Sequence, residues 1–329
     1  MRTKPAWAPI ARRAARMSRL LALALCLAAL LPAASQAERV RLVVLPFLSQ
    51  APIFIALEEG LFAREGITID PVALSSSHLA VPGLMGGDLD AAIPQAGPAL
   101  FNAVARGGRA RVVASGVVLA EAGCSYAAFY GTGLTLAALT SGEARTLRIS
   151  AEPNAFEGFL VDLLRQRPGA ERLQVQFREM PVAAQQAALT SRAIDLAFLS
   201  EPWVARLDQA GVGGVAFGAE QLLPDGQFTT LMFSERMLAN GQALGRRFLR
   251  AYREALLRYN EGKTPRNLDI LARATRLSPE LLARACWPSL PSDGALRTDS
   301  LLTYQNWLRQ RQLIDRVLAP GEFIAEITP

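Results

Sequence analysis

Residues 40–72 read VRLVVLPFLSQAPIFIALEEGLFAREGITIDPV, and the fold class can be worked out from this segment. It begins with a short apolar run at residues 40–45, rich in β-branched side chains, which is typical of a buried parallel strand. A polar break at Ser49-Gln50 is followed by apolar residues at helical spacing up to Gly60. Residues 67–72 then form a second strand-like run. The segment therefore predicts a β-α-β unit.

The alternation of strand and helix continues along the chain. A serine run at residues 75–77 is placed to cap the next helix. Residues 89–93 and 111–118 have the composition of strands, and residues 98–106 between them have the pattern of a helix. Strands that alternate with helices form a parallel sheet that helices cover on both faces. We therefore predict an α/β fold with a doubly wound sheet in this part of the chain.

A second region repeats this order. Residues 146–150 and 173–177 are predicted as strands, with residues 156–165 as the helix between them. The two regions also share a local match at a constant offset of 105 residues. The matched pairs are Leu84 and Leu189, Gly86 and Ser191, Leu89 and Ile194, Asp90 and Asp195, Ala92 and Ala197, and Ile93 and Phe198. Such a repeat is expected of two lobes with similar topology.

The order of these segments implies how the lobes are connected. A short strand at residues 231–233 returns the backbone to the first lobe, and helical patterns alone follow from residue 234. The chain then crosses between the lobes near residues 119–130 and again near residues 225–231. We predict a first lobe of residues 38–120 plus 228–329, a second lobe of residues 121–227, and a two-strand hinge between them.

Residues 1–37 have the pattern of an export signal. Six basic residues precede an apolar run at residues 20–31, and small residues lead to a cleavage point after Ala37. The run is shorter than the roughly 20 residues that a membrane-spanning helix needs. The segment holds six of the 35 basic residues and none of the 29 acidic ones, so the remaining chain is formally neutral. We therefore predict a periplasmic protein and reject a nucleic-acid function.

Two cysteines, Cys124 and Cys286, remain after that cleavage. An oxidising compartment permits them to pair. The sequence leaves the pairing open. We favour two separate buried thiols, since a free cysteine usually serves as a small hydrophobic residue.

Ligands of open parallel sheets bind beyond the carboxyl ends of the strands, where helix N-termini present free N–H groups. The candidate ligand-binding residues in the loops at these positions are Ser49, Gln50, Ser76, Ser77, Gln95, Ala96, Asn154, Ala155, Glu201 and Trp203. The same residue types also cap helices and turn the chain without any ligand, and Trp203 is equally suited to a core. The loops contain no Lys or Arg but two carboxylates, Glu152 and Glu201, which favours a ligand with a donor or amine group over a purely anionic one.

Catalysis has little support in the sequence. His78 is the only histidine, and it lacks the nearby ligands or nucleophile that zinc or triad chemistry needs. Lys263 is the only lysine after residue 37 and lies in a turn after a long helix, which is a poor place for a Schiff base. Gly262-Lys263-Thr264 lacks the upstream glycine of a phosphate-binding loop. We predict no catalytic residue, no metal site and no cofactor.

Residues 50–62, QAPIFIALEEGLF, continue through Glu65-Gly66-Ile67 and resemble the nitrate, sulfonate and taurine binding-protein family, which is also described as NMT1/THI5-like or SsuA/TauA-like. Residues 84–106, with DLDAAI at 88–93, extend the resemblance. The sequence DLAF at 195–198, leading into Glu201-Pro202-Trp203, looks like the second-lobe signature of the family. The likeness covers roughly residues 40–260.

The resemblance implies a type II periplasmic-binding fold. It also implies a monomeric receptor that captures a sulfonate, taurine, nitrate or pyrimidine-like solute between two lobes and delivers it to an ABC permease in the inner membrane. Two alternatives remain. One is a periplasmic ligand sensor for a signalling partner. The other is a family enzyme that makes the thiamine pyrimidine, which would lead us to expect an active-site histidine and a cofactor lysine, so the single histidine and the single lysine after residue 37 weigh against it.

Overall fold

Short apolar segments of the chain assemble into a first mixed sheet of five strands. Its strands are β1 (Glu38–Val43), β2 (Ile67–Val72), β3 (Ala91–Ala92), β4 (Arg111–Ser115) and β12 (Thr230–Phe233). The computed structural model describes residues 37–74, 79–120 and 123–328. In the sheet the order is β2-β1-β3-β12-β4, with β1 parallel to β2 and β3 and with β12 antiparallel to both of its neighbours. The strand β12 therefore comes from a part of the chain far beyond the other four.

A second five-stranded sheet repeats this topology. Its strands are β6 (Ala127–Gly131), β7 (Arg145–Ser150), β8 (Leu173–Phe177), β9 (Leu196–Ser200) and β10 (Gly214–Gly218). The order is β8-β7-β9-β6-β10, with β6 antiparallel to both of its neighbours. Each strand of this sheet thus corresponds to one of the first, and the predicted α/β fold with two doubly wound lobes is confirmed.

Two very short strands connect the sheets. They are β5 (Val118–Leu119) and β11 (Gly226–Gln227), which pair antiparallel. The single strand predicted at residues 111–118 is wrong, because β4 ends at Ser115. There the Gly116 N–H donates to the carbonyl of Thr229 at 3.0 Å, and the Val117 N–H donates to Thr229 Oγ1 at 2.8 Å. These bonds tie the two crossings of the chain together and form the two-strand hinge.

Helices cover both sheets. They are α1 (Ala51–Glu58), α2 (Leu61–Arg64), α3 (Ala80–Gly86), α4 (Pro98–Ala105), α5 (Leu136–Leu139), α6 (Phe156–Arg165), α7 (Val182–Thr190), α8 (Trp203–Gln209), α9 (Glu235–Leu238), α10 (Ala243–Tyr259), α11 (Pro265–Thr275), α12 (Pro279–Arg284), α13 (Thr298–Gln310) and α14 (Pro320–Phe323). The fully buried ring of Phe248 on α10 contacts Phe62 at 4.7 Å and Phe233 at 5.3 Å between ring centroids, which links this helix to α2 and β12. Among the described residues, no helix has the length and apolar character needed to cross a membrane.

Each sheet contains the same aspartate–arginine pairing. The Asp90 carboxylate accepts hydrogen bonds from the backbone N–H, Nε and Nη2 of Arg41 at 2.8, 3.1 and 2.9 Å. The Asp195 carboxylate accepts the same three bonds from Arg148 at 2.8, 3.1 and 2.7 Å. Asp90 accepts a further bond from Arg236 on α9 at 2.9 Å. The aspartates that the sequence match aligned therefore hold equivalent positions, each just before the third strand of its sheet.

Cys124 and Cys286 form a disulfide, with their Cα atoms 5.7 Å apart, so the prediction of separate buried thiols is wrong. Cys124 lies on the crossing between β5 and β6, and Cys286 follows α12. Close by, the Val118 N–H donates to the carbonyl of Ser289 at 2.9 Å. The two cysteines are 162 residues apart in sequence, and only the packing of the C-terminal helical segment against the first crossing brings them together.

Candidate functional site

A cleft of about 230 Å³ lies where strands of the two sheets end and the hinge begins. We call its three sides the first wall, the second wall and the floor. The first wall contains Leu45, Phe47, Ser49, Gln50, Ile93, Pro94 and Gln95; the second wall contains Glu157, Val182, Phe198, Leu199, Ser200 and Trp203; and the floor contains Tyr126, Phe228 and Thr229. The carboxyl ends of strands meet at this edge of each sheet, which is where α/β folds place their ligands.

The first wall is formed where β1 and β3 end. After Val43 the chain leaves the sheet, and the Gln50 side chain folds back so that its Oε1 accepts the N–H of Leu45 at 3.0 Å. Gln50 and Ser49 are both buried, whereas Gln95, between β3 and α4, is half-buried. Gln95 is therefore the more accessible of the two amides on this wall.

The second wall combines aromatic surface with one carboxylate. Ser200 ends β9, and Trp203 begins α8 immediately afterwards. The guanidinium of Arg206 lies over the Trp203 ring at 5.0 Å from its centroid, outside the residues that line the cleft. Glu157 lies in the first turn of α6 and brings a carboxylate to the wall.

The floor is built from the two crossings of the chain. Tyr126 comes from the first crossing and Phe228 from the second, and their rings meet edge to face at 6.2 Å. Phe228 also contacts Phe156 at 5.4 Å and Phe198 at 6.2 Å. Burial raises the pKa of Tyr126 to about 12, against hydrogen bonds with Ser49 and Ser200 that lower it. The Tyr126 hydroxyl therefore contacts both walls at once.

Four of the predicted ligand-binding residues line the cleft, namely Ser49, Gln50, Gln95 and Trp203. Ala96 and Ala155 instead line a smaller neighbouring pocket of about 60 Å³, which shares Pro94 and Gln95 with the cleft. Asn154 is exposed and lines neither space. Ser76 and Ser77 lie outside the described residues.

Glu201 differs from its predicted position at the cleft. Its side chain is only 2 % exposed, and its carboxylate accepts the N–H of Ala205 at 3.0 Å and the N–H of Cys286 at 2.8 Å. It thus caps α8 and joins that helix to the disulfide segment. The sequence placed Glu201 in a strand-end loop among the candidate ligand-binding residues but could not determine the direction of its side chain.

The burial of Glu201 makes the free energy of unfolding depend on the pH. Burial raises the pKa of Glu201, and the two N–H groups only partly oppose it. Since the pKa is higher in the folded chain, the contribution of Glu201 to stability is complete below about pH 4.3 and is lost as the pH rises through the folded-state pKa. We expect the stability of Glu201→Gln, measured relative to wild type by urea unfolding, to improve as the pH rises from 4 to 7. A slope of opposite sign would contradict the raised pKa.

Several residues of the cleft escaped the sequence analysis. Tyr126 and Phe228 lie on the crossings rather than at the ends of sheet strands, so the rule about strand ends does not find them. The sequence offered a signal for Phe198, because the match at an offset of 105 residues pairs it with Ile93. Both residues line the cleft. The sequence also offered a signal for Glu157, which is the acidic residue in the first turn of a predicted helix.

The residues considered for catalysis have other roles or lie outside the described chain. Lys263 Nζ donates to the carbonyls of Ala283 and Ala285 at 2.7 and 2.8 Å, at the end of α12, and burial lowers the pKa of this lysine. His78 is outside the described residues. Within the described chain, no group of three or more His, Cys, Asp or Glu side chains could hold a metal ion.

Residues 33–125 match the NMT1-like family. The ligand-binding component of an ABC-type import system from Staphylococcus aureus, with zinc bound, has a similar structure, with a TM-score of 0.68 and 16% identity over 88% of this chain and 97% of that chain. The alkanesulfonate-binding protein SsuA from Xanthomonas axonopodis pv. citri, bound to MOPS, has a TM-score of 0.66 and 16% identity over 89% of this chain and 100% of that chain. The periplasmic aliphatic sulphonate binding protein SsuA from Escherichia coli gives a TM-score of 0.66 and 14% identity over 88% and 93%.

A comparison with curated proteins finds no match. The identities to the solved structures are low, so these structures establish the fold. The family match covers the region that forms most of the first sheet and enters the first crossing. Residues 33–125 are therefore similar to the NMT1-like family, and the chain has the fold of these periplasmic binding proteins.

Proposed function

We propose that this protein is the extracytoplasmic solute-binding component of an ABC importer. The observation that carries the proposal is the cleft, which has one wall from each sheet and a floor made by the two chain crossings. A ligand in this space contacts both sheets together. The similar structures are a ligand-binding component of an ABC-type import system from S. aureus and two sulfonate-binding proteins from X. axonopodis and E. coli, which supports the proposal.

The function depends on closure about the hinge. We assign residues 38–120 plus 228–329 to the first lobe and residues 121–227 to the second. The β5 and β11 strands that join them pair through two residue pairs, and closure would bend the backbone there. A solute that contacts both walls binds the closed form more tightly than the open form and shifts the population toward it.

The proposal also gives the protein a compartment, a class of solute and a membrane partner. Residues 1–37 are a signal segment, cleaved after Ala37, and Glu38–Pro329 is a compact unit by itself. In the periplasm this monomer would capture a small organic solute of the sulfonate, taurine, nitrate or pyrimidine-like class and deliver it to a permease in the inner membrane. The protein binds the solute without changing it chemically.

The proposal predicts saturable binding that the Trp203 indole reports. Residues 38–329 are unfolded, refolded to remove bound ligand, and screened with sulfonates, taurine, nitrate, aminopyrimidines, amines and aromatic acids. A ligand at 100 times its Kd stabilises the fold by about 2.7 kcal/mol, which raises the thermal midpoint by a few degrees. The same ligand should change the tryptophan emission, because Trp203 lines the cleft.

A matched variant identifies the source of the signal. Trp203→Phe should lose the change in emission, while Trp287→Phe should keep it, since Trp287 stacks on Tyr259 at 5.4 Å and does not line the cleft. Chemical analysis of the bound ligand after incubation tests the absence of catalysis. A ligand that is consumed, or a panel without any saturable response, would overturn the receptor function.

A further inference from the structure

A small pocket beside the cleft lies at the starts of two helices. Its volume is about 60 Å³, and it shares Pro94 and Gln95 with the cleft, so a solute in the cleft can extend a group into it. Residues 97–99, at the start of α4, line this pocket together with Ala155, immediately before α6. Tyr304, on the C-terminal helix α13, lines it as well. Each sheet therefore contributes one helix start to the pocket.

Both helix starts keep backbone donors available there. The N-cap residues are Gly97 for α4 and Ala155 for α6, and neither has a side chain that can accept a hydrogen bond from the first turn. The N–H groups of Ala99 in α4 and Phe156 in α6 have no acceptor among the described residues. The helix dipole adds a partial positive charge at each start. A group with acceptor oxygens is therefore favoured in this pocket.

Tyr304 presents a buried hydroxyl to the same space. The residue is only 3% exposed, and its hydroxyl makes no hydrogen bond within the described chain. The buried hydroxyls of Tyr252 and Tyr259, in contrast, donate to backbone carbonyls at 3.3 and 2.6 Å. A buried hydroxyl without a partner destabilises a fold, so buried polar groups are nearly always paired. The Tyr304 hydroxyl is therefore available to a ligand.

The surroundings of Tyr304 place this hydroxyl at the start of α6. Its ring packs against Phe159 and Trp307, at 5.4 and 5.9 Å between ring centroids. Burial raises the pKa of Tyr304, and the charges of Glu157 and Glu152, beside the start of α6, raise it further. Charges act strongly only over short distances, so the hydroxyl lies close to the helix start that lines the pocket. The raised pKa also keeps the hydroxyl protonated, and it is therefore a hydrogen-bond donor.

We propose that Tyr304 is a specificity-determining residue of the solute site, whose hydroxyl donates to a carbonyl or sulfonyl oxygen of the solute at the starts of α4 and α6. This inference rests on the receptor function proposed above and assigns the acceptor end of the solute to the small pocket. A solute whose end group carries only donors leaves the hydroxyl and the helix N–H groups unpaired, which selects against it.

Three probes with the same ring and a tetrahedral end group test the inference by calorimetry on residues 38–329. A benzene ring fits a cavity of roughly 150 Å³, and the cleft measures about 230 Å³, so the ring stays in the cleft while the end group enters the pocket. Methyl phenyl sulfone and benzenesulfonate carry sulfonyl oxygens without and with a negative charge, whereas 2-phenylpropan-2-amine carries an ammonium group that only donates. Both sulfonyl probes should bind roughly tenfold more tightly than the amine.

Two tyrosine variants separate the role of the Tyr304 hydroxyl from general packing. Tyr304→Phe should weaken the binding of methyl phenyl sulfone by about tenfold, the effect of one hydrogen bond, and should keep the thermal midpoint of the ligand-free protein. Tyr259→Phe is the control, because Tyr259 is equally buried, donates to the carbonyl of Pro288 and lines neither the cleft nor the pocket. This control should lower the midpoint and leave the affinity for the sulfone unchanged.

The outcomes distinguish the two proposals. Equal affinities of wild type and Tyr304→Phe for the sulfonyl probes would overturn the role of Tyr304, as would tighter binding of the amine than of the neutral sulfone. A lower midpoint of ligand-free Tyr304→Phe would show that the hydroxyl has a partner within the protein and would overturn it too. If none of the three probes binds but the wider panel gives a saturable ligand, the inference fails and the receptor function stands. Without any saturable response, the receptor function itself fails.

Discussion

Asp90→Ala is expected to lower the free energy of unfolding by about 3–5 kcal/mol at pH 7, the cost typical of removing one partner from a buried charge pair. The Asp90 carboxylate is fully buried and accepts three bonds from Arg41 and one from Arg236. Its loss leaves the Arg41 backbone N–H and the Arg41 guanidinium without their acceptor, whereas Arg236 keeps its bond to the carbonyl of Arg39 at 2.9 Å. Because Arg236 lies on α9, the substitution also loosens the contact between that helix and the first sheet.

Asp195→Ala provides the matched control for this prediction. Asp195 accepts the same three bonds from Arg148, but its side chain is 27% exposed and no second arginine reaches it in the described chain. Water can replace part of what is lost, so we expect a smaller decrease of about 1–2 kcal/mol. Urea unfolding of the two variants beside wild type measures the difference. Equal losses, or a larger loss for Asp195→Ala, would contradict the role assigned to Arg236 and to burial.

The pH dependence gives a second check on the same pair. Burial raises the pKa of Asp90, but the hydrogen bonds from Arg41 and Arg236 outweigh it and leave the pKa below its usual value. For Asp195 the bonds from Arg148 lower the pKa directly. An aspartate whose pKa is depressed in the folded state stabilises the protein above its unfolded pKa of about 3.9 and loses that contribution as the pH falls through the folded pKa. The difference between each variant and wild type should therefore shrink in acid.

Replacing both cysteines, in Cys124→Ser with Cys286→Ser, is expected to cost about 2–5 kcal/mol of stability. The bond closes a loop of 162 residues, which restricts the unfolded chain far more than the folded one. In the folded state its neighbourhood is already fixed by the Glu201 contact with the Cys286 N–H and by the pairing of Val118 with Ser289. We therefore expect the variant to fold to the same structure with a lower urea midpoint.

A reductant supplies the control for the disulfide. Dithiothreitol should lower the midpoint of the wild-type protein toward that of the double serine variant and leave the variant unchanged. Each single serine variant should match the double one, because either change removes the whole bond. A wild-type midpoint that equals the variant's without reductant would show that the pair is not bonded in the purified protein.

The strand and helix pattern of this sequence predicts much of the fold. The segments at residues 67–72, 156–165 and 173–177 are elements with those bounds in the structure, because their apolar spacing alone specifies them. The predicted strand at residues 40–45 ends early, at Val43, since the next residues turn away to form the first wall. The break at Gly116 likewise depends on Thr229, more than 100 residues further along, and no local signal reveals it.

The candidate site is likewise predictable from the sequence in part, where sheet topology determines it, and not where distant segments pack together. Ser49, Gln50, Gln95 and Trp203 lie at the cleft because strand ends in an α/β sheet share one edge, which is a property of topology that the sequence pattern reveals. The floor and the disulfide depend on how the crossings pack against distant segments. The expectation of a donor-bearing ligand arose from loops with no Lys or Arg but two carboxylates, Glu152 and Glu201, and the Glu201 carboxylate instead accepts the N–H groups of Ala205 and Cys286.

The position of β12 governs the order in which the chain can assemble. In the first sheet β4 pairs with β12, which is formed by Thr230–Phe233, and a single bridge joins Val112 of β4 to Ile324. As the polypeptide emerges with its N-terminus first, residues 38–115 have no complete sheet to join until residue 233 has appeared. All strands of the second sheet, by contrast, lie within residues 127–218 and can meet without waiting for later segments. The lobe that begins the chain is therefore completed last.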